Sequence, residues 1–427
     1  MKDIRALNER YRMFSAVADD LNGGCEFLFS ADDCLSAIGL PMRCGSRMLD
    51  GYKPLFDATS VERMRAAGGK LVGKCNTDEF AAGTFCTNSA YGVPRNPFDI
   101  ERTCGGPSGG SACASAVMDQ ISLGIGSVSC PASFCGIYGL TPTYGRVSRY
   151  GSAATDKVGL LASSPEKIAK CLTIVAGKDP KDPVSCSQPD LELNGKKIRS
   201  IAVPEDHIIG VSKDVLSAFG SSLDALGSMG IEIKKIKMPF LRYALPANSI
   251  ITASETSTGL AKYVGMRYGQ QDGDLSLKFD DYFTSFRTEY FGEETKKKIL
   301  LGTYVRMSKL RDRYYMKARK VRSYVVSSYK KVFADHDAIL TPTMPFASPR
   351  FDEIPKMTSD DTYNADVFTC SPSLTGMPHI SVPCGYTDNG MPIGMQMVTD
   401  HWCEYPLVTF AKDWDNAFAV RRPEVPL

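Results

Sequence analysis

The sequence has few histidines and lacks the closely spaced cysteines of metal sites and disulfide frameworks. Its 427 residues include only four histidines, and its fourteen cysteines are scattered singly with no C-x-x-C pair. Zinc sites combine closely spaced Cys and His, and small secreted domains pair many cysteines within a short chain. The composition therefore argues against both classes. We expect no metal in this chain and a reducing, cytoplasmic location.

The sequence also lacks an excess of one charge and a long apolar run. Lys and Arg number 50 against 48 Asp and Glu, which leaves a formal net charge of +2. The net charge is therefore too small to attract nucleic acid or a membrane to the protein as a whole. Any RNA contact must be made by a local cluster of charges or by a partner. No run approaches the roughly 18 apolar residues of a membrane span, and the N-terminus is charged and amphipathic. We expect a soluble, unprocessed protein.

Glycine, serine and other small residues are concentrated in one segment, residues 104–151. The backbone of such a loop can turn its N–H groups toward an anion. The helix-prone run SACASAVMDQISL would place Ser108 and Ser111 near a helix N-terminus, where negative charge is favoured. A phosphate-binding loop is the weaker interpretation, because G-x-x-x-x-G-K-[ST] does not occur. A Gly/Ser turn that only connects two elements is the other alternative.

Motifs spread over most of the chain resemble those of the amidase-signature family. In order they read GYKPLFDAT, LVGKCNTDEF, NPFD, CPASFCGIYGLTPTYGRVSRYG, KVRSY, ADVFTCSPSLTGMPHISVPCG and MPIGMQMV. Within that family, the chain is similar to the glutaminase subunits of tRNA-dependent amidotransferases. The resemblance implies an α/β fold with a single large mixed twisted sheet flanked by helices.

We predict one amidase-like domain over residues 1–427. Apolar residues recur on one face of the N-terminal segment, which predicts a helix over residues 1–24 that is closed by glycine. Residues 104–151 form the signature segment. Further along, Ser164 is predicted to cap a helix that extends through Ala176. Strand, helix and strand patterns between residues 196 and 236 then predict a βαβ unit.

The resemblance identifies Ser127 as the nucleophile that forms an acyl-enzyme. The family spacing Gly-Ser-x-x-x-Pro matches the stretch from Gly126 to Pro131. Ile125 and Gly126 correspond to the segment that supplies N–H groups to the oxyanion. That segment is shortened here, since the family's Asp-Thr-Gly-Gly becomes Gly-Ile-Gly. Removing one oxyanion donor typically costs about a hundredfold or more in rate.

Two positions of the family's Ser–Ser–Lys proton relay are substituted. Asp32 stands where the family has its lysine, counting back from the Cys-Gly-Ser motif at residues 44–46. Pro107 stands where the family has the middle serine. An ionised aspartate repels a developing oxyanion, and proline has no hydroxyl to pass a proton. The resemblance therefore predicts a relay without an evident base.

Ser108 and Lys74 are the possible substitutes for the lost relay. Ser108 neighbours the missing hydroxyl, although a neighbouring residue of an ordered loop points in another direction. Lys74 lies at the end of a predicted strand. Its alternative role is structural, in which it orders the following turn through Asp78 or Glu79.

Arg322 and Asp366 match the family positions that hold the two charged ends of glutamine. A guanidinium binds a carboxylate with two hydrogen bonds, and a carboxylate pairs with an ammonium group. The resemblance therefore assigns the α-carboxylate to Arg322 and the α-amino group to Asp366. The alternative is an ordinary ion pair on a helix surface.

The function implied by the resemblance is hydrolysis of glutamine at Ser127, with the ammonia used to amidate misacylated Glu-tRNA(Gln) or Asp-tRNA(Asn). The implied partners are a kinase-like B subunit, which carries ATP and Mg²⁺, and a small C subunit. This chain itself is expected to hold no cofactor. Two alternatives remain open, a catalytically impaired scaffold with an amidase fold and a free-standing amide hydrolase. Arg322 and Asp366 argue against the second.

Overall fold

The computed structural model describes residues 3–19, 24–154, 156–185, 187–192 and 196–425. The strands in these ranges are β1 (Phe14–Val17), β2 (Phe27–Asp32), β3 (Gly69–Cys75), β4 (Ile121–Ile125), β5 (Tyr138–Thr141), β6 (Val158–Ala162), β7 (Ser200–Pro204), β8 (Glu232–Ile236), β9 (Ala338–Pro342), β10 (His379–Tyr386) and β11 (Pro392–Val398). They form one sheet in the order β1-β3-β2-β4-β6-β5-β10-β11-β9-β7-β8.

The α-helices of the described residues surround this sheet. They are α1 (Ile4–Tyr11), α2 (Thr59–Ala66), α3 (Gly109–Met118), α4 (Ser129–Phe134), α5 (Pro165–Val175), α6 (Lys213–Ser228), α7 (Ala244–Gly259), α8 (Phe279–Tyr290), α9 (Glu293–Arg306), α10 (Tyr315–Phe333), α11 (Ser359–Asn364), α12 (Cys370–Thr375) and α13 (Glu404–Ala417). None of them is long and apolar enough to span a membrane.

The sheet is mixed and is covered on both faces. β2 runs parallel to β3 and β4, whereas β10 runs antiparallel to β5 and β11. Leu160 and Leu161 are neighbours on β6 but pack into different hydrophobic clusters. Successive side chains of a strand point to opposite faces, so each face has its own core. The predicted α/β fold with one large mixed sheet and flanking helices is confirmed.

The predicted βαβ unit and the capped helix are also present. β7, α6 and β8 follow one another, and β7 pairs with β8 in parallel. Ser164 is the N-cap of α5, where its hydroxyl accepts a hydrogen bond from the Lys167 N–H. Both elements follow from local patterns, namely an amphipathic helix between two strand-forming segments and a Ser-Pro-Glu start.

The prediction of an N-terminal helix over residues 1–24 is wrong beyond Tyr11. Arg12 adopts a left-handed conformation with φ of 51°, which ends α1. The Asn8 amide group then exchanges two hydrogen bonds with the backbone of Phe14. This turn leads into β1, which pairs antiparallel with β3 at the edge of the sheet. The rest of the predicted helix, residues 20–23, and its first two residues lie outside the described ranges.

The helix predicted for SACASAVMDQISL is shorter than the run itself. α3 ends at Met118, because Asp119 is left-handed with φ of 54°. The last residues of the run belong to β4, which pairs with β2 and β6 at the centre of the sheet. Central strand pairing therefore overrides the local helical pattern, and it directs the chain from β4 toward Ser127.

Candidate active site

A cavity of about 230 Å³ brings together predicted site residues that are far apart in the sequence. Ser127, Arg322 and Asp366 all line it, and so does Pro107. Ser127 comes from the turn after β4, Arg322 from α10, and Asp366 from the turn before α12. Tertiary folding therefore places the predicted nucleophile in one cavity with both predicted substrate-binding residues.

Ser127 lies in a strand–turn–helix arrangement that needs glycine immediately before it. Gly126 has φ of +83°, and a Cβ atom at this position would lie 3.1 Å from the Pro107 ring. Ser127 itself is half-buried. Its hydroxyl oxygen has no hydrogen-bond partner among the residues that the structure describes. The hydroxyl is therefore not committed to a hydrogen bond with any of the described residues.

The two predicted oxyanion donors are both engaged within the protein, contrary to the prediction. The Ile125 N–H donates to the Asp32 carboxylate at 2.8 Å and to the Ser108 hydroxyl at 3.1 Å. The Gly126 N–H donates to the Lys157 carbonyl oxygen at 3.0 Å. An N–H group that already donates within the fold is not free to bind a developing oxyanion. One of these N–H groups is thus held by two side chains and the other by the backbone before β6.

Asp32, at the family's lysine position, is fully buried behind this loop and is not among the residues that line the cavity. Its carboxylate accepts hydrogen bonds from the hydroxyls of Ser108, at 2.7 Å, and Ser111. Burial raises the pKa of Asp32 to about 6, although these hydrogen bonds favour the charged form. The substituted residue has therefore become the acceptor of a local hydrogen-bond network.

The two substitutes predicted for the relay also lie away from the cavity. Ser108 donates to Asp32, so its hydroxyl is committed to that network. Lys74 is fully buried, donates to the Leu35 carbonyl oxygen and lies 3.8 Å from the Asp33 carboxylate. This geometry fits the structural alternative for Lys74, but the partner is Asp33 rather than the predicted Asp78 or Glu79.

Asp78 and Glu79 instead bind backbone N–H groups of other loops. Asp78 accepts from the N–H groups of Cys86, at 2.9 Å, and Asn88, at 3.0 Å. Glu79 accepts from the Gly292 N–H at 2.8 Å. These bonds anchor the loop beside the cavity without help from Lys74.

Arg322 and Asp366 do not form the surface ion pair that was the alternative to substrate binding. Arg322 is exposed, and no carboxylate among the described residues lies within ion-pair distance of it. Asp366 accepts a hydrogen bond from the Thr84 hydroxyl at 2.7 Å. Burial raises the pKa of Asp366, and the nearby Lys298 ammonium opposes that shift. One exposed cation and one half-buried carboxylate are thus presented to the same cavity.

Four further charged residues of the cavity were not identified from the sequence. They are Asp156, Lys157, Glu255 and Lys298. Lys157 is buried, and its ammonium group donates to the Ser373 carbonyl oxygen at 3.1 Å. Burial lowers the pKa of Lys157, and the positive charge of Arg322 lowers it further. One signal was available, since Lys157 directly precedes the fully apolar strand β6.

Metal ligation finds no support in the described ranges. No group of three or more His, Cys, Asp or Glu in them is arranged to hold a metal ion. The groups that line the cavity include hydroxyl, ammonium, guanidinium and carboxylate groups.

Comparisons with known proteins agree on one family. The model of the amidase family matches residues 29–408. The A subunit of glutamyl-tRNA(Gln) amidotransferase from Archaeoglobus fulgidus is 39% identical over 389 residues, which cover 89% of this chain and 83% of that protein. The protein of the same name from Persephonella marina is 40% identical over 397 residues, which cover 89% of this chain and 80% of that protein.

Solved structures give the same result. The crystal structure of the glutamyl-tRNA(Gln) amidotransferase A subunit from Thermotoga maritima aligns with a TM-score of 0.82 at 30% identity, covering 99% of this chain and 92% of that one. The structure of 6-aminohexanoate cyclic dimer hydrolase also aligns with a TM-score of 0.82, at 24% identity, covering 99% of this chain and 93% of that one. At that identity the second likeness shows a shared fold alone.

Proposed function

Since this chain belongs to the amidase family, we propose that it is the glutaminase subunit of a tRNA-dependent amidotransferase. Relatives about 40% identical over most of the chain bear the name of the glutamyl-tRNA(Gln) amidotransferase A subunit. The observation that carries the proposal is the cavity shared by Ser127, Arg322 and Asp366. In this function, glutamine is hydrolysed in the cavity, and the ammonia amidates Glu-tRNA(Gln) or Asp-tRNA(Asn).

The charges of the cavity suit the two ends of free glutamine. The exposed Arg322 guanidinium binds the α-carboxylate, and the half-buried Asp366 carboxylate binds the α-ammonium group. An ammonium group beside Asp366 also offsets the cost of burying that carboxylate. This arrangement leaves the side-chain amide to reach Ser127.

The Ser127 hydroxyl attacks the amide carbon, ammonia leaves, and water then hydrolyses the acyl-enzyme. A base must accept the serine proton. Lys157 is our candidate, because it lines the cavity with Ser127 and its carbonyl oxygen holds the adjacent Gly126 N–H. Its lowered pKa increases the fraction of neutral amine near neutral pH. Lys74 and Ser108 lack this position.

The proposed assembly includes a B subunit that uses ATP and Mg²⁺ for activation of the tRNA-linked carboxylate, and a small C subunit. The present chain supplies ammonia and holds neither group itself. Cytoplasmic location is part of the same proposal, since charged tRNA is used there.

A second candidate function is a scaffold that does not hydrolyse glutamine. One observation favours it, namely that the Ile125 N–H donates hydrogen bonds to the side chains of Asp32 and Ser108. These hydrogen bonds make the N–H unavailable to an oxyanion, and the loss of one such donor typically costs about a hundredfold or more in rate. A free-standing amide hydrolase is less well supported, because Arg322 and Asp366 suit a free amino acid rather than an arbitrary amide.

The test compares Ser127→Ala with the neighbouring Ser129→Ala in the complex assembled with its partner subunits. Ser129 is a matched control, since its hydroxyl is also buried and unpartnered among the described residues but does not line the cavity. Ammonia release from glutamine is expected to be abolished only by Ser127→Ala. Amidation of tRNA driven by added ammonium chloride should survive in both variants.

Other outcomes identify the other candidates. The scaffold is indicated if the natural chain releases no ammonia from glutamine while ammonium-driven amidation proceeds normally. Release of ammonia from unrelated amides by this chain alone indicates a free-standing hydrolase.

A further inference from the structure

The charges of this chain are strongly segregated along the sequence. Residues 293–331, which span α9, the following turn and most of α10, contain thirteen Lys and Arg but only three Asp and Glu. The remainder of the chain therefore holds 37 basic and 45 acidic residues. A segment of charge +10 thus lies in a protein that is otherwise −8, and the overall value of +2 conceals it.

Seven cations of this segment form what we call the basic face. They are Lys309, Arg311, Arg313, Lys317, Arg319, Lys320 and Lys331. All seven are exposed, and no carboxylate among the described residues lies within ion-pair distance of any of them. By contrast, Lys297 pairs with Glu294, and Lys330 pairs with Asp400. None of the seven lines the cavity described above.

The geometry of α10 arranges three of these cations in a row along one side of the helix. Ala318, Val325 and Tyr329 bury the inner side of the helix. Lys317, Lys320 and Lys331 project from its exposed side, and the fourteen-residue separation of the first and last corresponds to about 21 Å of helix. The turn before the helix carries three more of the seven cations, Lys309, Arg311 and Arg313. Uncompensated charge of this kind favours solubility but destabilises the fold through self-repulsion, which a polyanion would relieve.

An exposed aromatic ring lies within the same row. Tyr324 follows Lys320 by four residues, so the two side chains are neighbours on the helix surface. Its side chain is 60% exposed, and its ring stacks on Phe240 with centroids 5.9 Å apart. A braced, exposed ring among cations is the combination that binds an unpaired base beside a phosphate backbone.

We propose that the basic face binds RNA through its phosphate backbone, with Tyr324 as a stacking platform for an unpaired base. Phosphate contacts of this kind position an RNA without reading its sequence. The aromatic ring favours RNA over an acidic protein surface, because an unpaired base can stack on the ring and a carboxylate side chain cannot. The inference does not depend on glutaminase activity, because the basic face and the cavity share no residue.

The experiment uses the full chain and a tRNA transcript, with fluorescence anisotropy at several KCl concentrations. The triple variant Lys317→Gln, Lys320→Gln and Lys331→Gln is compared with a matched variant, Lys234→Gln, Lys235→Gln and Lys237→Gln. The control lysines are also exposed and lie on or next to β8. Both variants remove three positive charges, so global charge is held constant. Circular dichroism verifies that both are folded.

The natural chain is expected to bind with a steep salt dependence, and the basic-face variant should lose at least about tenfold in affinity at low salt. The slope of log K against log[KCl] should fall by about 2, since each phosphate contact contributes about 0.7 to 0.9. The control should stay within about twofold of the natural chain. Tyr324→Ala should weaken binding by roughly fivefold or more without changing the slope.

Three results would overturn the proposal. The first is an absence of salt-dependent RNA binding by the natural chain. The second is an equal loss in the control variant, which would make the effect one of net charge. The third is an unchanged affinity of Tyr324→Ala together with full competition by polyglutamate, which would assign the face to an acidic protein. Ammonia release from glutamine should be unaffected in the basic-face variant, so this test stands apart from that of the proposed function.

Discussion

Replacing Asp32 with asparagine should change how the stability of this protein depends on pH. Asp32 is fully buried, and burial raises its pKa from 3.8 to about 6. Its two oxygens accept bonds from Ser108, Ser111 and the Ile125 N–H. Asparagine can keep this network, because its oxygen can accept from the Ile125 N–H and Ser108 while Ser111 turns to accept from the amide.

The sign of the effect follows from proton linkage. Between pH 3.8 and about 6, the folded state binds a proton at Asp32 that the unfolded state has released. Stability therefore falls as the pH rises through this window, and the deficit is complete above the folded-state pKa. A shift of about two units corresponds to about 3 kcal/mol. Asp32→Asn lacks this ionisation, so its stability relative to the natural chain should rise by about 3 kcal/mol between pH 4 and pH 7.

Urea unfolding of both proteins at intervals from pH 4 to pH 7.5 measures this difference directly. Other buried carboxylates, such as Asp78, titrate in both proteins and cancel in the comparison. Asp388→Asn makes the same substitution at an exposed position and serves as the matched control. A free-energy difference between Asp32→Asn and the natural chain that stays constant over this range would refute the reasoning. It would mean that Asp32 is ionised at no net cost in the folded state.

The remaining predictions concern the cavity. Arg322→Ala and Asp366→Ala should each weaken glutamine binding by about 1.5 to 3 kcal/mol, or about 10- to 150-fold, because each removes one charge-assisted partner; calorimetry that shows unchanged affinity in either variant would contradict the assigned site. The affinity of the natural chain should also fall on acidification, since burial raises the pKa of Asp366 and the neutral acid no longer attracts an ammonium group. Lys157→Met should lower glutamine-driven ammonia release by roughly a hundred- to ten-thousandfold, as measured beside ammonium-driven amidation, which should not change; equal loss in both assays would indicate a structural role.

Local patterns in the sequence were sufficient for much of the fold. The apolar runs at β9, β10 and β11, the helix face of α6 and the Ser164 cap are each set by residues within a few positions of one another. Side-chain periodicity and capping act over that distance, so they can be read from the sequence alone. The motif spacing that predicts Ser127 as the nucleophile is equally local, whereas the motifs that indicate the amidase family are spread over most of the chain.

The N-terminal segment shows where such reasoning fails. The residues of β1 continue the helical apolar pattern of α1, but they pair with β3, about 60 positions away in the sequence. Sheet pairing depends on which partner edge is available, and one segment carries no information about that. Sheet pairing also prevailed over local helical propensity at the end of the run SACASAVMDQISL, where the last residues belong to β4 instead of a helix.

The sequence by itself determined the family and the sheet, and it predicted Ser127 as the nucleophile. Only the tertiary structure showed that Asp32 accepts a hydrogen bond from Ser108, 76 residues away, and another from the Ile125 N–H. It alone placed Lys157 in the cavity and excluded Lys74 from it. Electrostatic and hydrogen-bond partners are fixed by distance in space, and in a sheet with crossovers that distance is not a function of separation along the chain.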